Sequence, residues 1–136
     1  MFVIDSSITV AWFVPDERSS EAQRAFDRVI ENGAVVPLHW GLEVGNALLI
    51  ALRRHRISAW QRRDALDQLI RLQLTTDSET IDFAWTTTLD LAEQYRLTLY
   101  DACYLELAFR RRLPLASLDN DLRAAAQQFG VALFGL

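Results

Sequence analysis

Short apolar runs alternate along the chain with longer stretches in which apolar residues recur every three or four positions. The apolar runs are rich in β-branched residues and are bounded by polar or turn residues, which is typical of buried strands. They occupy residues 1–4, 34–38, 113–118 and 131–134. The helical spacing predicts helices between them, over residues 6–14, 19–32, 39–56, 58–72, 81–96, 102–112 and 120–129.

This alternation of strands and helices predicts an α/β fold with a parallel sheet and right-handed crossovers. The first strand has no polar position before Asp5. It needs helices on both faces, so we expect it at the centre of the sheet. The polar, threonine-rich segment 74–80 predicts a short edge strand, and the helices at 39–56 and 58–72 predict an αα-hairpin. A serine after Asp5 is expected to cap the first helix.

The length and composition fit a single domain over residues 1–136. The hydrophobic fraction of 51% and the absence of segments rich in Pro, Gly or Ser argue against disorder. No apolar run approaches the roughly 20 residues that a membrane span requires, and no charged leader precedes the first strand. We therefore expect a soluble cytoplasmic protein. Cys103 lies among apolar residues and is expected to be a buried structural thiol.

The net charge is −4, and all fourteen basic residues are arginine. The absence of lysine excludes a P-loop and a Schiff-base enzyme, because both require that amine. The arginines cluster at predicted helix ends, at residues 53–56, 62–63 and 110–112. They suit either solvated helix ends or a surface for a phosphate backbone, because guanidinium groups bind phosphate oxygens in pairs. Arg53, Arg54 and Arg56 are the candidates for contact with such a backbone.

Four acids stand where predicted strands end or helices begin, or on a helix that faces those positions. They are Asp5 after the first strand, Glu43 in a mostly apolar helix, Asp101 at a helix start and Asp119 after a strand. Each has an ordinary alternative role, since an aspartate before a helix often caps it and a glutamate at a helix edge often faces water. The carboxyl ends of parallel strands meet at one sheet edge, so we expect the four acids to lie together.

Carboxylates held close together repel one another and favour a bound cation. Oxygen ligands favour Mg²⁺ or Mn²⁺ over zinc, for which the sequence offers no Cys/His cluster and no H-E-x-x-H helix. One or two such ions lower the pKa of a bound water and neutralise a leaving oxygen at phosphorus. The acids therefore indicate metal-dependent hydrolysis of a phosphodiester.

Four segments of the chain resemble, in order and spacing, the PIN-domain ribonucleases, and in particular the VapC-type toxins of type II toxin–antitoxin modules. The segments are FVIDSS at 2–7, EVGNAL at 43–48, LYDACYLELA at 99–108 and LDNDL at 118–122. The resemblance covers essentially the whole chain. It implies a PIN-like three-layer α/β/α fold with a central parallel sheet of four to five strands and an αα-hairpin.

The resemblance implies that Asp5, Glu43, Asp101 and Asp119 bind Mg²⁺ or Mn²⁺ and position the attacking water. It also implies auxiliary residues that support the metal site or its surroundings, namely Ser6, Asn46, Thr98 and Asp121. The implied substrate is RNA, whose hydrolysis inhibits translation and growth. The implied partners are a second copy of the chain, in a homodimer, and a cognate VapB-type antitoxin whose C-terminal segment covers the acidic groove.

Other classes fit the residues less well or remain open. A phosphoacceptor receiver domain needs a lysine at a later strand end, and the chain has none. A haloacid-dehalogenase-like phosphatase needs a second aspartate where Ser7 stands. A PIN-fold protein-binding module without activity and a housekeeping nuclease without a toxin role are the alternatives that the sequence leaves open. The sequence does not decide which RNA is cut or whether one or two metal ions bind.

Overall fold

A computed structural model describes residues 1–135 of the chain and shows a parallel sheet between layers of helices. The strands are β1 (Val3–Ile4), β2 (Ala34–Val36), β3 (Leu74–Thr76) and β4 (Leu115–Ala116). The helices are α1 (Ser6–Ala11), α2 (Ser20–Asn32), α3 (Trp40–Arg53), α4 (Ala59–Arg71), α5 (Thr87–Tyr95), α6 (Leu99–Arg111) and α7 (Asn120–Phe129), with a 3₁₀ turn at Pro15–Glu17. None of these helices is long and apolar enough to cross a membrane.

The four strands lie in the order β3-β2-β1-β4, and all of their pairings are parallel. Val3 pairs with Val35 on one side and with Leu115 on the other, so β1 is an inner strand. The α/β class and the parallel sheet predicted from the sequence are thereby confirmed. Because β1 is flanked by β2 and β4, the residue that follows it lies in the middle of the carboxyl edge.

Side chains on the two faces of the sheet pack into two separate cores. Val3, Val35 and Leu115 face α5, α6 and α7, whereas Ile4 and Val36 face α1 and α2. This alternation follows from the period of two in a strand. Burial on both faces explains why β1 contains no polar residue, and it produces the three-layer arrangement.

The predicted αα-hairpin is formed by α3 and α4, which pack against α1 through a third apolar cluster that includes Val44, Leu48 and Leu69. Ser58 caps α4 and shares a capping box with Gln61, whose side chain accepts from the Ser58 backbone N–H at 2.7 Å. The box satisfies two helix-end donors and fixes where α4 begins.

Several predicted bounds differ from the structure by a few residues, and three differences affect the site or the fold. The cap of α1 is the Asp5 carboxylate rather than a serine, because Asp5 Oδ1 accepts from the Ile8 N–H at 3.0 Å. The helix expected from residue 81 begins only at Thr87, since residues 79–86 form short turns and Trp85 projects into solvent. The last expected strand is reduced to one bridge, between Leu115 and Leu133.

Cys103 is buried in α6, as the apolar pattern predicts. Burial first, and the nearby carboxylates second, raise the pKa of its thiol to about 11. A thiol with so high a pKa is protonated at neutral pH and is a poor nucleophile. Cys103 is therefore a core residue.

Candidate active site

Asp5 occupies the carboxyl end of β1 and is only 3% exposed. Its carboxylate accepts hydrogen bonds from three donors: the Ile8 N–H at 3.0 Å, Ser7 Oγ, which lies 2.7 and 2.9 Å from the two oxygens, and Ser117 Oγ. Ser117 follows β4, so neighbouring strand ends supply donors to the same carboxylate. The position and orientation of Asp5 are fixed by both strands.

Burial raises the pKa of Asp5 to about 6, because the charged form loses hydration. The hydrogen bonds from Ser117, Ile8 and Ser7 oppose this rise, and the negative charge of Asp101 adds to it. Asp5 therefore carries a buried charge at neutral pH that the surrounding dipoles only partly compensate.

Asp101 lies in the first turn of α6, where the Thr98 side chain caps the helix by accepting from the Asp101 N–H at 3.1 Å. Burial raises the pKa of Asp101, and so do the negative charges of Asp119 and Glu43. Asp101 is thus within electrostatic reach of the three other predicted acids, Asp5 included. The cap fixes the backbone from which this carboxylate projects.

Glu43 lies in the first turn of α3, and a tyrosine of α6 holds its carboxylate. The Tyr104 hydroxyl donates to Glu43 Oε1 at 2.5 Å, and His39 Nε2 is 3.4 Å from the same oxygen. Burial, and then the hydrogen bond to Glu43, raise the pKa of Tyr104 above its ordinary value. The phenol therefore stays protonated and acts as a donor.

Asp119 caps α7, since its Oδ1 accepts from the Leu122 N–H at 2.9 Å. Its own N–H donates to Ser117 Oγ at 3.0 Å, which connects it to the hydroxyl that holds Asp5. The capping role considered from the sequence is therefore real. It does not exclude a second role, because the charge of Asp119 still acts on Asp101.

The four acids gather at one edge without a neutralising arginine. No arginine among residues 1–135 forms an ion pair with Asp5, Glu43, Asp101 or Asp119. Within the same residues, no three acidic, imidazole or thiol groups lie close enough to hold one ion between them. The carboxylates raise one another's pKa, so a bound cation would relieve their mutual repulsion. As hard oxygen donors with uncompensated charge, they fit Mg²⁺ or Mn²⁺.

The residues predicted to be auxiliary differ in where they lie relative to the four acids. Ser6 lies close enough to the Tyr104 hydroxyl to lower the pKa of that phenol. Asn46 is exposed one turn beyond Glu43, and Asp121 is exposed in the first turn of α7, where it lines a groove with Tyr95.

The arginines of the hairpin are at the opposite end of α3 from Glu43. Arg53 and Arg54 are exposed. Arg56 forms ion pairs with Asp16 at 3.2 Å and Glu17 at 3.7 Å. Such exposed ion pairs contribute little to the free energy of folding, so they do not prevent Arg56 from binding another anion.

Four residues that shape the site were not predicted from the sequence: Ser7, Ser117, His39 and Tyr104. Ser117 stands two residues before Asp119 at the end of a predicted strand, and this spacing could have identified it as a residue of the site. The contact between Tyr104 and Glu43 joins residues 61 positions apart. Only the packing of α6 against the sheet brings them together.

We expect Thr98→Ala to lower the free energy of unfolding by about 1 kcal/mol, because it removes the cap of the helix that carries Asp101. Urea unfolding monitored by circular dichroism measures this loss. Thr86→Ala is the matched control, since Thr86 precedes α5 without a side-chain capping bond. An equal loss in both variants would show that the Thr98 cap does not hold α6.

The parallel sheet and the acidic edge define the class of protein: the chain belongs to the PIN domain family, which it matches over residues 2–128. It is similar to Ribonuclease VapC3 of Pyrobaculum aerophilum, with 30% identity over 128 residues that cover 88% of this chain and 90% of that protein. The resemblance to VapC-type PIN-domain ribonucleases is thereby confirmed.

A solved structure shares the fold. The crystal structure of PAE2754 from Pyrobaculum aerophilum superposes with a TM-score of 0.67 and 24% identity, covering 91% of this chain and 78% of that one. At this identity the likeness concerns the fold alone.

Proposed function

We propose that this chain is a Mg²⁺- or Mn²⁺-dependent endoribonuclease that acts as the toxin of a type II toxin–antitoxin pair. The observation that carries the proposal is the group of four carboxylates at one edge of a PIN fold with no arginine to neutralise them. Similarity to a protein named Ribonuclease VapC3 supports RNA as the substrate. A divalent cation would offset the negative charge of these carboxylates and allow a phosphodiester, itself an anion, to approach them.

Asp5, Glu43 and Asp119 would hold the cation, and Asp101 would bind it or orient the water. When bound, the cation supplies an acidified water and neutralises charge at the phosphodiester. Asp5 is suited to anchoring because its hydrogen bonds fix its orientation. A site built on rigid strand and helix ends loses little entropy when its ligand binds.

Of the two acids with a raised pKa, Asp101 is the more exposed, so it would accept a proton from the attacking water. It is half-buried, and its pKa is raised by burial and by the neighbouring acids. A carboxylate whose pKa moves towards neutrality is a better proton acceptor at physiological pH. Repulsion between Asp101 and the neighbouring carboxylates also favours the binding of a cation at the site.

Arg53 and Arg54 would contact the RNA backbone at a distance from the cut. They lie ten and eleven residues after Glu43 along α3 and its end, which corresponds to about 15 Å at 1.5 Å per residue. A strand of RNA that reaches from the acids to the hairpin would span several nucleotides. Arg56 would join them, with its ion pairs to Asp16 and Glu17 exchanged for phosphate.

The toxin role implies further partners. We propose a homodimer in the cytoplasm, silenced by a VapB-type antitoxin that covers the acidic edge. A small neighbouring gene that encodes a DNA-binding N-terminal domain would support the toxin role over that of a housekeeping nuclease. Size-exclusion chromatography with light scattering measures the oligomeric state.

Removal of divalent metal is expected to abolish RNA cleavage by the purified protein. The reason is that the four carboxylates alone repel the phosphate that they must approach. Cleavage of a mixed RNA substrate is measured in EDTA, and again after Mg²⁺ or Mn²⁺ is added in excess. We expect no products in EDTA and full recovery with either ion. A protein-binding module would cut no RNA at any metal concentration, and undiminished cleavage in EDTA would contradict a metal-dependent mechanism.

A further inference from the structure

Tyr104 is one of the largest fully buried side chains, yet its polar end reaches the acidic edge. It is 0% exposed and packs in the core between the sheet and α6. Its hydroxyl donates to Glu43 Oε1 at 2.5 Å, across from α6 to α3. A buried tyrosine hydroxyl needs a partner, and here that partner is a predicted metal ligand.

His39 approaches the same oxygen of Glu43. Its ring packs edge-on against Tyr104, with ring centroids 5.2 Å apart. With its proton on Nε2, His39 donates to the Tyr100 carbonyl oxygen at 3.0 Å, and that nitrogen is 3.4 Å from Glu43 Oε1. The imidazole is thus held by the backbone of α6, one helical turn from Tyr104.

The hydrogen bond decides which oxygen of Glu43 is free. Tyr104 and His39 both approach Oε1, and no donor among residues 1–135 hydrogen-bonds to Oε2. A glutamate has three side-chain torsions and loses rotamer entropy when it is fixed. Without an anchor, repulsion from Asp101 and the exposure of α3 would favour orientations that point away from the other acids.

We propose that Tyr104 is a positioning residue, which holds Glu43 Oε1 so that Oε2 faces the acidic edge and is available to a divalent cation. This inference rests on the proposed metal-dependent function and extends it to a residue outside the four acids. Tyr104 contacts neither the cation nor RNA in this scheme. It acts through Glu43, with His39 limiting the sideways movement of the same carboxylate.

Tyr104→Phe removes the anchoring hydroxyl and leaves the buried ring. We expect the dissociation constant for Mn²⁺ to rise about 10-fold, which is the lower end of the range for the loss of a residue that orients a metal ligand. The rate of RNA cleavage is expected to return to that of wild type when Mn²⁺ is in large excess, because the ligands themselves remain. Tyr95→Phe is the matched control, since Tyr95 packs against Phe129 and its hydroxyl bonds to no other residue in the described range 1–135.

The test is Mn²⁺ binding to the RNA-free protein, measured by electron paramagnetic resonance for wild type, Tyr104→Phe and Tyr95→Phe. Weaker binding in Tyr104→Phe alone supports the positioning role. Equal binding in all three proteins, with normal metal-dependent cleavage, overturns the role of Tyr104 and leaves the proposed function intact. If wild type binds no Mn²⁺ and cuts no RNA, the proposed function fails and the positioning role fails with it.

A second measurement uses wild type, so that it does not depend on the folding of the variant. The chain has three tyrosines, and labelling each ring carbon that bears the hydroxyl with ¹³C gives three NMR signals. Addition of Mg²⁺ is expected to shift the Tyr104 signal in wild type but not in Glu43→Gln. A Tyr104 signal that is unchanged by Mg²⁺, in protein that binds the ion, would overturn the coupling between Tyr104 and Glu43.

Discussion

Asp5→Asn is expected to lower RNA cleavage by more than about 100-fold, since the loss of a ligand exceeds the 10- to 100-fold effect of a residue that merely supports one. Growth inhibition by the expressed protein should disappear as well. Asn keeps the oxygen that accepts from the Ile8 N–H, so the helix cap of α1 survives. The loss is measured as initial cleavage rates in Mg²⁺ at equal protein concentration.

The same variant is expected to be more stable than wild type in metal-free buffer at neutral pH. The pKa of Asp5 rises from an ordinary value of 3.8 to about 6 on folding. For a carboxyl with a raised pKa, the linked stability is fully present below pH 3.8 and is lost as pH rises through about 6. When Asp5 is fully ionised, the free energy of unfolding is lower by about 3 kcal/mol. Asn does not ionise, so the variant does not lose this stability.

The stability difference between Asp5→Asn and wild type should therefore grow from near zero at about pH 4 to its maximum at about pH 7. Urea unfolding in EDTA across this range measures it, and Asp67→Asn, at an exposed position, is the control. Mn²⁺ should narrow the difference by stabilising wild type. A variant that retains wild-type cleavage would show that Asp5 is not at the active site.

Arg110→Leu is expected to lower the free energy of unfolding by about 3–5 kcal/mol, because it leaves two buried carboxylates without their cation. Arg110 donates to both oxygens of Asp77, at 2.6 and 3.2 Å, and to both oxygens of Glu106, at 2.8 and 3.0 Å. Its guanidinium also lies 4.7 Å from the Phe83 ring centroid. The pair Asp77 and Glu106 is almost fully buried.

The pH dependence of this loss has a definite sign. Burial raises the pKa of Asp77, but the hydrogen bonds from Arg110 and Thr80 outweigh it and leave the pKa below its ordinary value. The stability linked to Asp77 is thus present above that ordinary value and is lost as pH falls. We expect the difference between wild type and Arg110→Leu to shrink in acid.

Arg111→Ala, at the exposed neighbouring position, is the control and should change the unfolding free energy little. Thermal and urea unfolding of the two variants measure both effects. If Arg110→Leu were as stable as Arg111→Ala, the buried ion network would not contribute to holding α6 against the β3–α5 segment.

The sequence was sufficient to predict the sheet and the position of Asp5, because a strand without polar residues fits only the interior of a parallel sheet. The alternation of apolar runs with stretches of helical spacing predicted the α/β class, because strands that alternate with helices form a parallel sheet. Resemblance added the proposed roles of Glu43, Asp101 and Asp119, which periodicity alone could not distinguish from caps and surface residues. Asp119 shows why, since it is a helix cap and a neighbour of the other acids at once.

Interactions between distant residues could not be read from the pattern. Ser117 and Asp5 meet because β4 lies beside β1, and the pairing of strands is a property of the folded sheet. Arg110 belongs to a cluster that suggested a solvated helix end or a phosphate surface, yet it binds Asp77 from the segment after β3. Which arginine of a cluster is buried depends on the elements that pack over it.

The most direct test of the proposed activity is to map RNA 5′ ends across the transcriptome of cells that express either wild type or Asp5→Asn. The two proteins differ by one side-chain group, so differences in the maps report on the acidic edge. We predict new ends at defined sequences in cells with wild type, together with growth arrest, and none in cells with Asp5→Asn. The same new ends in both maps would contradict a nuclease centred on Asp5.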